Sequence, residues 1–550
     1  MRRSRTGAAV GAGCLLVSTA VATVAADATV AAPVVAAATV PVLVQVSGPV
    51  SGAVPVPASA ASSVPATEPA PASAAPSPGG PRIRWGACPE QPVPAGMRCG
   101  TLTVPLDHSA PAKGTVRIAL AEIPANGPRA GRRGALLLNF GGPGGPGIES
   151  LAAHAKTFAE LGERYDLVTF DPRGVGHSEP ISCGGSLGPG PRGSDDPADA
   201  LAALRAVAER CERASGRVLP YIGTVHVARD LDLIRRALGE DELDYLGFSY
   251  GTRLGAVYAA QFPHHVGRMA LDGVDTLAEP LVEQALASAQ GQQQALDNFL
   301  TWCAHQPGCV YGTNTRTAKE DVAAFVARLD VAPLVDEDGT VFTGRDAVTA
   351  IGFALYSRES WPELAEALAL AERNRDPRGL LRLGAPADPE PGGAAQPPSR
   401  VPADNAAAAM AAVNCADDPD RSSDGASPAA VMQRIDGLRE EFRRASEIFG
   451  PRQLLTVLAC YGRPAGTDFI REIERPGAPR MLLVGTRGDP ATPYRWTEET
   501  AQRLGSAVVV DHKGDGHTGY TSSTCVRGYV DRFLIHGRLP SGTRSCPGEE

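Results

Sequence analysis

The chain has 550 residues, of which 43% are hydrophobic and 21% are charged, values typical of a soluble globular protein larger than one ordinary domain. Its formal net charge of -9 comes from 61 acidic and 52 basic residues, with no long run of either sign. Phosphate binding needs clustered lysines and arginines, so this charge pattern excludes nucleic acid as an expected partner.

The N-terminal segment has the layout of a secretory signal peptide. Residues 1–5 are basic, an apolar run follows from about residue 7 to residue 26, and small residues precede Asp27. The alternative is a retained membrane anchor, because the run approaches the ~20 residues that a spanning helix needs. We expect residues 1–26 to be cleaved, which leaves a secreted or cell-envelope-associated protein without a membrane span.

Residues 27–80 consist almost entirely of alanine, valine, proline, serine and glycine. Such a stretch cannot build a core, and its prolines oppose both helix and sheet, so a disordered linker is predicted. The globular part is expected to begin at about residue 82.

Removing Cys14 with the signal peptide leaves ten of the 11 cysteines, an even number that indicates disulfides in an exported protein. Because short loops close at the lowest entropic cost, our hypothesis is that neighbouring cysteines pair along the chain. The resulting pairs are Cys88–Cys99, Cys183–Cys211, Cys303–Cys309, Cys415–Cys460 and Cys525–Cys546.

Short apolar runs bounded by glycine and proline alternate with helical patterns along the globular part. Strands are predicted at residues 115–123, 135–140, 165–170, 243–248, 268–271, 481–485 and 507–511. This alternation favours a mostly parallel, doubly wound α/β sheet.

About 200 residues between the strands at 268–271 and 481–485 have mainly helical sequence patterns. This predicts a large helical lid inserted late in the sheet. One of its helices is expected to start at Ser360, whose spacing to Glu363 is that of a capping box. The predicted organisation is a first part of the core at 82–275, a helical insertion at 276–455 and a second part of the core at 456–546.

Gly247-Phe-Ser249-Tyr-Gly251 matches GxSxG, the pattern of a serine nucleophile on a strand–turn–helix. Ser249 follows an apolar strand and precedes a helical run, as that turn requires. A second match centres on Ser186, which lies in a glycine- and proline-rich loop without flanking elements. We therefore interpret Ser249 as the nucleophile and Ser186 as a plain loop residue.

A serine hydroxyl needs a general base, and in this type of fold the base follows the last strands. His512 and His517 both follow the last predicted strand, at residues 507–511. His517 lies in the loop beyond that strand and is predicted to be the base, whereas His512 at the strand end is predicted to be structural.

The base needs a carboxylate to orient it. Asp489 follows the strand at 481–485 and is the predicted acid, with Asp272 and Asp275 after the preceding strand as alternatives. Thr492 and Pro493 are expected to be the N-cap and the first residue of the next helix, which would fix this loop.

A glycine-rich loop, Asn139-Phe-Gly-Gly-Pro-Gly-Gly-Pro-Gly147, directly follows the strand at 135–140. Glycines let backbone amides approach a tetrahedral intermediate, so Gly142 and Gly144 are candidate oxyanion donors, with the Tyr250 amide as the second donor. The loop also fits GxGxxG, which would indicate a dinucleotide-binding oxidoreductase. That alternative leaves Ser249, Asp489 and His517 unexplained.

Together these motifs resemble the secreted tripeptidyl aminopeptidase family of α/β-hydrolases, relatives of proline iminopeptidase with a TAP-like C-terminal module. The resemblance covers about residues 85–546. It is carried by Trp85-Gly-Ala-Cys88, Cys99-Gly-Thr-Leu-Thr-Val-Pro-Leu-Asp107, the loop at 141–144, Asp171-Pro-Arg-Gly-Val-Gly-His-Ser178, the segment 243–252, Asn414-Cys-Ala-Asp417, Asp489-Pro-Ala-Thr-Pro493 and Gly516-His517. Phe140, Pro146 and Arg253 depart from the family's usual Pro, Ser and Tyr.

The resemblance implies the α/β-hydrolase fold, Gly142 rather than Gly144 as oxyanion donor, and Asp489 as the acid. It also implies a serine peptidase that releases short peptides from free N-termini, with no cofactor and no metal. The alternatives are a carboxylesterase or lipase-like hydrolase, since the same triad cleaves esters, and a non-catalytic binding protein. A monomer acting on a peptide or ester substrate is expected.

An exopeptidase must also hold the positively charged amino group of its substrate, which calls for a carboxylate near the nucleophile. Asp417 and Asp418, in the predicted insertion, are the first choices, and Glu149 after the glycine-rich loop is the second. The alternative is that all three are solvated surface acids.

Overall fold

The computed structural model describes residues 82–89, 93–185, 197–277, 279–384, 400–420, 425–469, 479–542 and 544–548. The predicted signal peptide, the predicted linker and Ser186 lie outside the described residues. Within the described ranges, no helix combines the length and the apolar character that crossing a membrane would require.

A mixed sheet forms the centre of the described structure, with strand order β1-β2-β4-β3-β5-β6-β9-β10-β11. All neighbours from β4 to β11 are parallel, and the pairs β1–β2 and β2–β4 are antiparallel. The strands are β1 (Arg98–Pro105), β2 (Thr115–Ile123), β3 (Gly134–Asn139), β4 (Tyr165–Phe170), β5 (Leu243–Phe248), β6 (Val266–Asp272), β9 (Leu482–Gly488), β10 (Val508–Asp515) and β11 (Ser545–Pro547).

The central strands are buried on both faces because helices pack on each side, which explains their almost continuous apolar sequences. In β3 every side chain from Leu136 to Asn139 is buried. One core cluster lies on each face of the sheet: Leu137 and Tyr245 belong to one, and Leu136 and Leu246 to the other. The predicted mostly parallel, doubly wound sheet is confirmed.

Helices account for most of the remaining described residues. They are α1 (Gly147–His154), α2 (Ala159–Gly162), α3 (Pro197–Ser215), α4 (Thr224–Leu238), α5 (Tyr250–Gln261), α6 (Leu281–Cys303), α7 (Thr315–Val331), α8 (Gly344–Ala354), α9 (Trp361–Asn374), α10 (Arg378–Gly384), α11 (Asn405–Asp417), α12 (Pro428–Ala445), α13 (Gly450–Thr456), α14 (Tyr494–Leu504) and α15 (Thr524–His536).

The chain between β6 and β9 contains α6 to α13 and a small hairpin of β7 (Leu334–Val335) and β8 (Val341–Phe342). We call residues 281–456 the helical insertion. Much of it packs around its own apolar cluster, which includes Phe299, Phe325 and Trp361.

The predicted capping box at Ser360 is wrong. Ser360 precedes α9 in a helical conformation, and its side chain makes no capping hydrogen bond, because the preceding turn is already helical. The capping box of the insertion is instead at Thr343, whose hydroxyl accepts from the Asp346 amide while the Asp346 side chain accepts from the Thr343 amide.

The ten cysteines described in the structure are joined in the five pairs of the sequence hypothesis. In four of the pairs both cysteines lie in the same region, either the sheet and its helices or the helical insertion. Cys415–Cys460 ties the last residues of α11 to the segment after α13, and so fixes both ends of the C-terminal half of the insertion.

Candidate active site

Ser249 lies between β5 and α5 with backbone angles of φ +55° and ψ -127°, a conformation that non-glycine residues rarely adopt. The two flanking glycines allow this turn. A Cβ on Gly247 would lie 2.5 Å from the Gly251 carbonyl oxygen, and one on Gly251 would lie 2.8 Å from the carbonyl oxygen of Asn139. The amide of Ser249 donates to the carbonyl of Asp272, at 3.0 Å, which ties the turn to the end of β6.

Asp489 and His517 form a direct pair. His517 Nδ1 lies 2.9 Å from Asp489 Oδ1 and 3.0 Å from Oδ2. The carboxylate also accepts hydrogen bonds from the amides of Ala491, Thr492 and Thr518, at 2.8 to 3.1 Å. The acid is therefore fixed in place and turned toward the imidazole.

Thr492 has a different role from the one predicted. The helix begins at Tyr494, after Pro493, and the side chain of Thr492 does not cap it. Its hydroxyl donates to Asp489 Oδ2 at 2.9 Å, because the loop folds back over the carboxylate. The predicted N-cap is wrong, and Thr492 orients the acid instead.

The pair shifts both pKa values toward the charged forms. Burial raises the pKa of Asp489, but the charge and hydrogen bond of His517 and the surrounding amides outweigh burial and hold it below its usual range. Burial lowers the pKa of His517, but Asp489, with smaller contributions from Asp272 and Asp275, raises it above 6.5.

His517 lies against the end of β6, the same strand end that holds the amide of Ser249. At Gly273, directly after β6, an added Cβ would lie 3.5 Å from His517 Cε1. The turn at Ser249 and the imidazole of His517 therefore both border the end of β6, although Ser249 follows β5 and His517 follows β10. His512 lies elsewhere: its Nδ1 is 3.0 Å from the Thr486 hydroxyl, and the side chain is buried.

The two alternative acids have other partners. Asp272 accepts from the amides of Gly519 and Tyr520, at 2.7 to 3.0 Å, and so holds the loop that carries His517. Burial raises the pKa of Asp272 to about 6. Asp275 Oδ2 pairs with Arg253 at 3.0 Å.

The glycine-rich loop passes directly over the serine turn. A Cβ on Gly141 would lie 2.9 Å from Ser249 Cβ and 3.2 Å from the Tyr250 nitrogen. The amide of Gly141 donates a hydrogen bond to Asn139 Oδ1, and the amide of Gly145 donates one to the Gly141 carbonyl. Both amides are therefore already hydrogen-bonded within the loop and its strand. Only glycine fits at Gly141, which lets the loop approach Ser249.

Gly142 and Gly144 differ in their surroundings. Gly144 is buried against α11, where its added Cβ would lie 2.6 Å from the Ala406 carbonyl oxygen and 2.9 Å from the Met410 nitrogen. Gly142 is exposed. The amides of Gly142 and Tyr250 have no acceptor among the described residues, as an oxyanion site requires.

Tyr356, in the insertion, contacts the histidine loop, and no sequence motif indicated it. Its carbonyl accepts the amide of His517 at 2.8 Å, and its ring lies 5.2 Å from the imidazole at 71°. Gly516 allows this approach, since its φ is +92° and a Cβ there would lie 3.0 Å from the Tyr356 carbonyl oxygen. The insertion therefore helps to hold the loop of His517, the predicted base.

Asp417 is buried in a polar cluster next to the nucleophile turn. Its two oxygens accept from the amide and the hydroxyl of Thr224, at 2.8 and 2.5 Å, and Arg253 lies 3.6 Å away. Burial raises its pKa, which Arg253 and Thr224 only partly counteract. The Thr224 hydroxyl also lies 2.6 Å from that of Tyr250.

The other two carboxylates predicted to bind an amine differ in exposure. Asp418 is buried, and its Oδ1 accepts from the amides of Leu281 and Asp420 at 3.3 and 3.1 Å. Glu149 is exposed in the first turn of α1, directly after the glycine-rich loop.

A parallel sheet with a strained serine between a central strand and its helix, and an acid–histidine pair after later strands, defines the α/β-hydrolase class. Comparison with known families matches residues 446–546 to the TAP-like protein family. The chain is 34% identical over 505 residues to the serine protease Hip1 of Mycobacterium tuberculosis, a match covering 85% of this chain and 91% of that protein.

Two further relatives have similar identity. The tripeptidyl aminopeptidase of Streptomyces lividans is 31% identical over 484 residues, with 84% of this chain and 86% of that protein covered. Carboxylesterase B of Mycobacterium tuberculosis is 33% identical over 485 residues, with 85% and 90% covered. The chain belongs to the TAP-like family of α/β-hydrolases, and it is a serine hydrolase.

Proposed function

We propose that the protein is an exported serine peptidase that releases short peptides, in particular tripeptides, from the free N-termini of its substrates. Ser249, Asp489 and His517 are its catalytic triad. The observation that carries the proposal is the 2.9 Å contact between His517 Nδ1 and Asp489, made beside the strand end that holds the Ser249 turn.

In the proposed reaction, His517 Nε2 takes the proton of the Ser249 hydroxyl as the oxygen attacks the substrate carbonyl. The amides of Gly142 and Tyr250 receive the oxyanion. His517 then gives the proton to the leaving amine, and water attacks the acyl-enzyme in the second half of the cycle. Asp489 fixes the imidazole and stabilises its charged form.

Two features support export and peptide cleavage. Five disulfides are typical of proteins in oxidising compartments. The relatives called serine protease and tripeptidyl aminopeptidase favour a peptide substrate. Carboxylesterase B, with comparable identity, keeps ester hydrolysis as the second candidate function.

The three carboxylates considered for the substrate amine are not equivalent. Both oxygens of Asp417 are occupied by Thr224, and Asp418 accepts two backbone amides. Glu149 is exposed next to the glycine-rich loop, and no hydrogen bond within the described part of the chain holds its carboxylate. We therefore assign the substrate amine to Glu149 and a structural role to Asp417 and Asp418.

The test of the function compares kcat/KM for peptides of one sequence with a free and with an acetylated N-terminus, alongside short-chain esters. The aminopeptidase should cleave the free peptides after their third residue and reject the acetylated ones. Equal rates on free and acetylated peptides would remove this function and leave the esterase. Ser249→Ala should abolish labelling by a fluorophosphonate probe in either case.

The amine assignment has its own test. Glu149→Gln should lower kcat/KM for free peptides about tenfold, as expected for losing one hydrogen bond to a charged group, while ester hydrolysis stays within twofold. Glu163→Gln, at an exposed glutamate after α2, is the matched control and should change neither. An unchanged free-peptide rate in Glu149→Gln would refute the assignment.

A further inference from the structure

Two aromatic side chains of the helical insertion are exposed beside the candidate site. Phe353 is 57% exposed and Tyr356 40%, and their ring centroids lie 6.5 Å apart. The other large apolar side chains of α8, Val348 and Ile351, are buried. Exposed aromatic residues that pair in this way form a surface suited to an apolar ligand.

This aromatic pair has a fixed position relative to the proposed base. The Tyr356 carbonyl accepts the amide of His517, and the ring of Tyr356 packs with its edge against the imidazole. Gly516 leaves no room for a side chain between the two segments. Tyr356 therefore borders the imidazole, and Phe353 lies beside Tyr356.

Two charged side chains near the pair, those of Arg358 and Asp515, are engaged elsewhere. Arg358 stacks on two indoles, 4.9 Å from the ring centre of Trp302 and 4.2 Å from that of Trp361. Asp515 accepts a hydrogen bond from Asn298 at 2.7 Å. What the insertion presents at Phe353 and Tyr356 is thus an apolar surface.

The position beside the imidazole determines which part of a substrate meets this surface. The base must give its proton to the leaving group, so the leaving group lies next to His517, and the acyl oxygen lies under the glycine-rich loop. We propose that Phe353 and Tyr356 form the subsite for the leaving group, selecting substrates whose first residue after the cleaved bond has a large apolar side chain. This rests on the proposed role of His517.

The experiment uses acyl transfer, which isolates the leaving-group side. The enzyme is acylated with p-nitrophenyl butyrate in the presence of phenylalaninamide or glycinamide. The amine attacks the acyl-enzyme carbonyl, His517 takes its proton and returns it to Ser249, and an N-butyryl amide forms in place of butyrate. The ratio of amide to butyrate is measured for each acceptor, so changes in overall turnover cancel.

We expect phenylalaninamide to give about ten times the acyl transfer of glycinamide, since a buried phenylalanine side chain is favourable by at least that factor. Phe353→Ala and Tyr356→Ala should each reduce this preference to threefold or less, and Phe353→Leu should retain most of it. Leu455→Ala, at a residue of α13 that is 54% exposed, is the matched control and should keep the tenfold preference.

Equal transfer to the two amides in the wild type, or an unchanged preference in both alanine variants, would overturn the proposal. Because the acyl donor is a simple ester, the experiment is independent of how peptides are cleaved. A preference for phenylalaninamide in an enzyme that fails to cleave free peptides would refute the aminopeptidase function and leave the subsite standing.

Discussion

The residues of the candidate site are held by backbone contacts as much as by their own side chains. Ser249 occupies a strained conformation, which costs about 1–3 kcal/mol and persists only where the surroundings impose it. Two hydrogen bonds impose it here. The Ser249 amide donates to the Asp272 carbonyl, and the Thr252 hydroxyl donates to the Ser249 carbonyl at 2.6 Å.

Removing either end of the proton path should abolish turnover. Ser249→Ala and His517→Ala should each lower kcat by a factor on the order of 10⁴ to 10⁶, because triad members act as a unit. The double variant should be no slower than the slower single variant. Circular dichroism and thermal unfolding serve as controls for the fold. A double variant much slower than both single variants would contradict a shared role.

The pH dependence of activity should report the neighbours of His517. Since the acids around it raise its pKa above 6.5, kcat/KM should rise with pH through a midpoint above that value. Asp272→Asn removes one of these charges and should move the midpoint to lower pH. Asp489→Asn should instead cost on the order of 10⁴ in kcat.

The measurement is the profile of kcat/KM between pH 5 and 9 for the three proteins. A midpoint that stays in place in Asp272→Asn would show that its charge does not reach the imidazole. A flat wild-type profile would indicate another base.

For single residues, the sequence predicted positions best where a residue follows the end of a strand. Asp489 and His517 were paired as predicted, because the carboxyl ends of neighbouring parallel strands meet. Thr492 and Tyr356 could not be predicted in their observed roles. The first depends on how a loop folds back on a carboxylate, and the second on how a distant helix packs.

Among the helices and strands, the cluster around Arg253 joins α5, the helix that follows Ser249, to the insertion. Arg253, on α5, pairs with Asp275 after β6, at 3.0 Å, and with Asp417 at the end of α11, at 3.6 Å. All three side chains are largely buried. The guanidinium also donates to the Thr276 carbonyl at 2.8 Å. It therefore places one positive charge between two carboxylates that would otherwise repel each other.

Replacing this cation should destabilise the protein strongly. Arg253→Met leaves two buried carboxylates unpaired and should lower the free energy of unfolding by about 3–5 kcal/mol. Adding Asp417→Asn should recover part of the loss. Arg439→Met, at an exposed pair with Asp436, is the matched control and should cost less than about 1 kcal/mol.

Urea denaturation of the four proteins measures these differences. Equal losses in Arg253→Met and Arg439→Met would mean that the buried cluster contributes nothing beyond a surface pair. A double variant less stable than Arg253→Met would show that Asp417 is needed for its bonds to Thr224 rather than for its charge.

Strands were easier to predict than the ends of helices. Strands β2, β4 and β5 have the predicted bounds. Burial on both faces of the sheet requires apolar residues in succession, and such a run is easy to recognise in the sequence. β1, at the edge of the sheet, was not among the predicted strands because its buried and exposed residues alternate, whereas the prediction relied on continuous apolar runs. The caps at Ser360 and Thr492 failed because the spacing of a motif does not determine the conformation of its first residue.

For the molecule as a whole, the candidate site lies where the sheet and its helices meet the helical insertion. The sheet and its helices form one region, and the insertion has its own apolar cluster. Tyr356 contacts the histidine loop and α11 contacts the glycine-rich loop, so each region supplies part of the site. This arrangement follows from the order of elements, but the contacts themselves depend on side-chain packing that no local pattern specifies.

A buried polar network lies away from the site, around α4. Arg173 donates twice to Asp230, at 2.7 Å in each case, and His108 lies 2.8 Å from the same carboxylate. His226, on the same helix, is buried, and its Nε2 lies 2.8 Å from the Thr467 hydroxyl. Burial first, and then the positive charge of Arg173, lower the pKa of His226 to about 4.

His226 should make the fold sensitive to acid. A pKa lowered from 6.5 to about 4 means that the folded protein binds this proton less readily than the unfolded chain. Stability contributed by neutral His226 is therefore fully present above about pH 6.5 and is lost as the pH falls toward 4, by about 3 kcal/mol in total. His226→Gln, whose amide nitrogen can still reach Thr467, should lack this loss.

The measurement is the free energy of unfolding of wild type and variant between pH 4 and 8. Taking the difference between the two proteins cancels the buried aspartates, such as Asp272, whose raised pKa values favour the fold as the pH falls. The wild type should lose stability relative to His226→Gln as the pH decreases from 6.5 to 4. A constant difference across this range would show that His226 keeps an ordinary pKa, and the acid sensitivity would then belong to other groups.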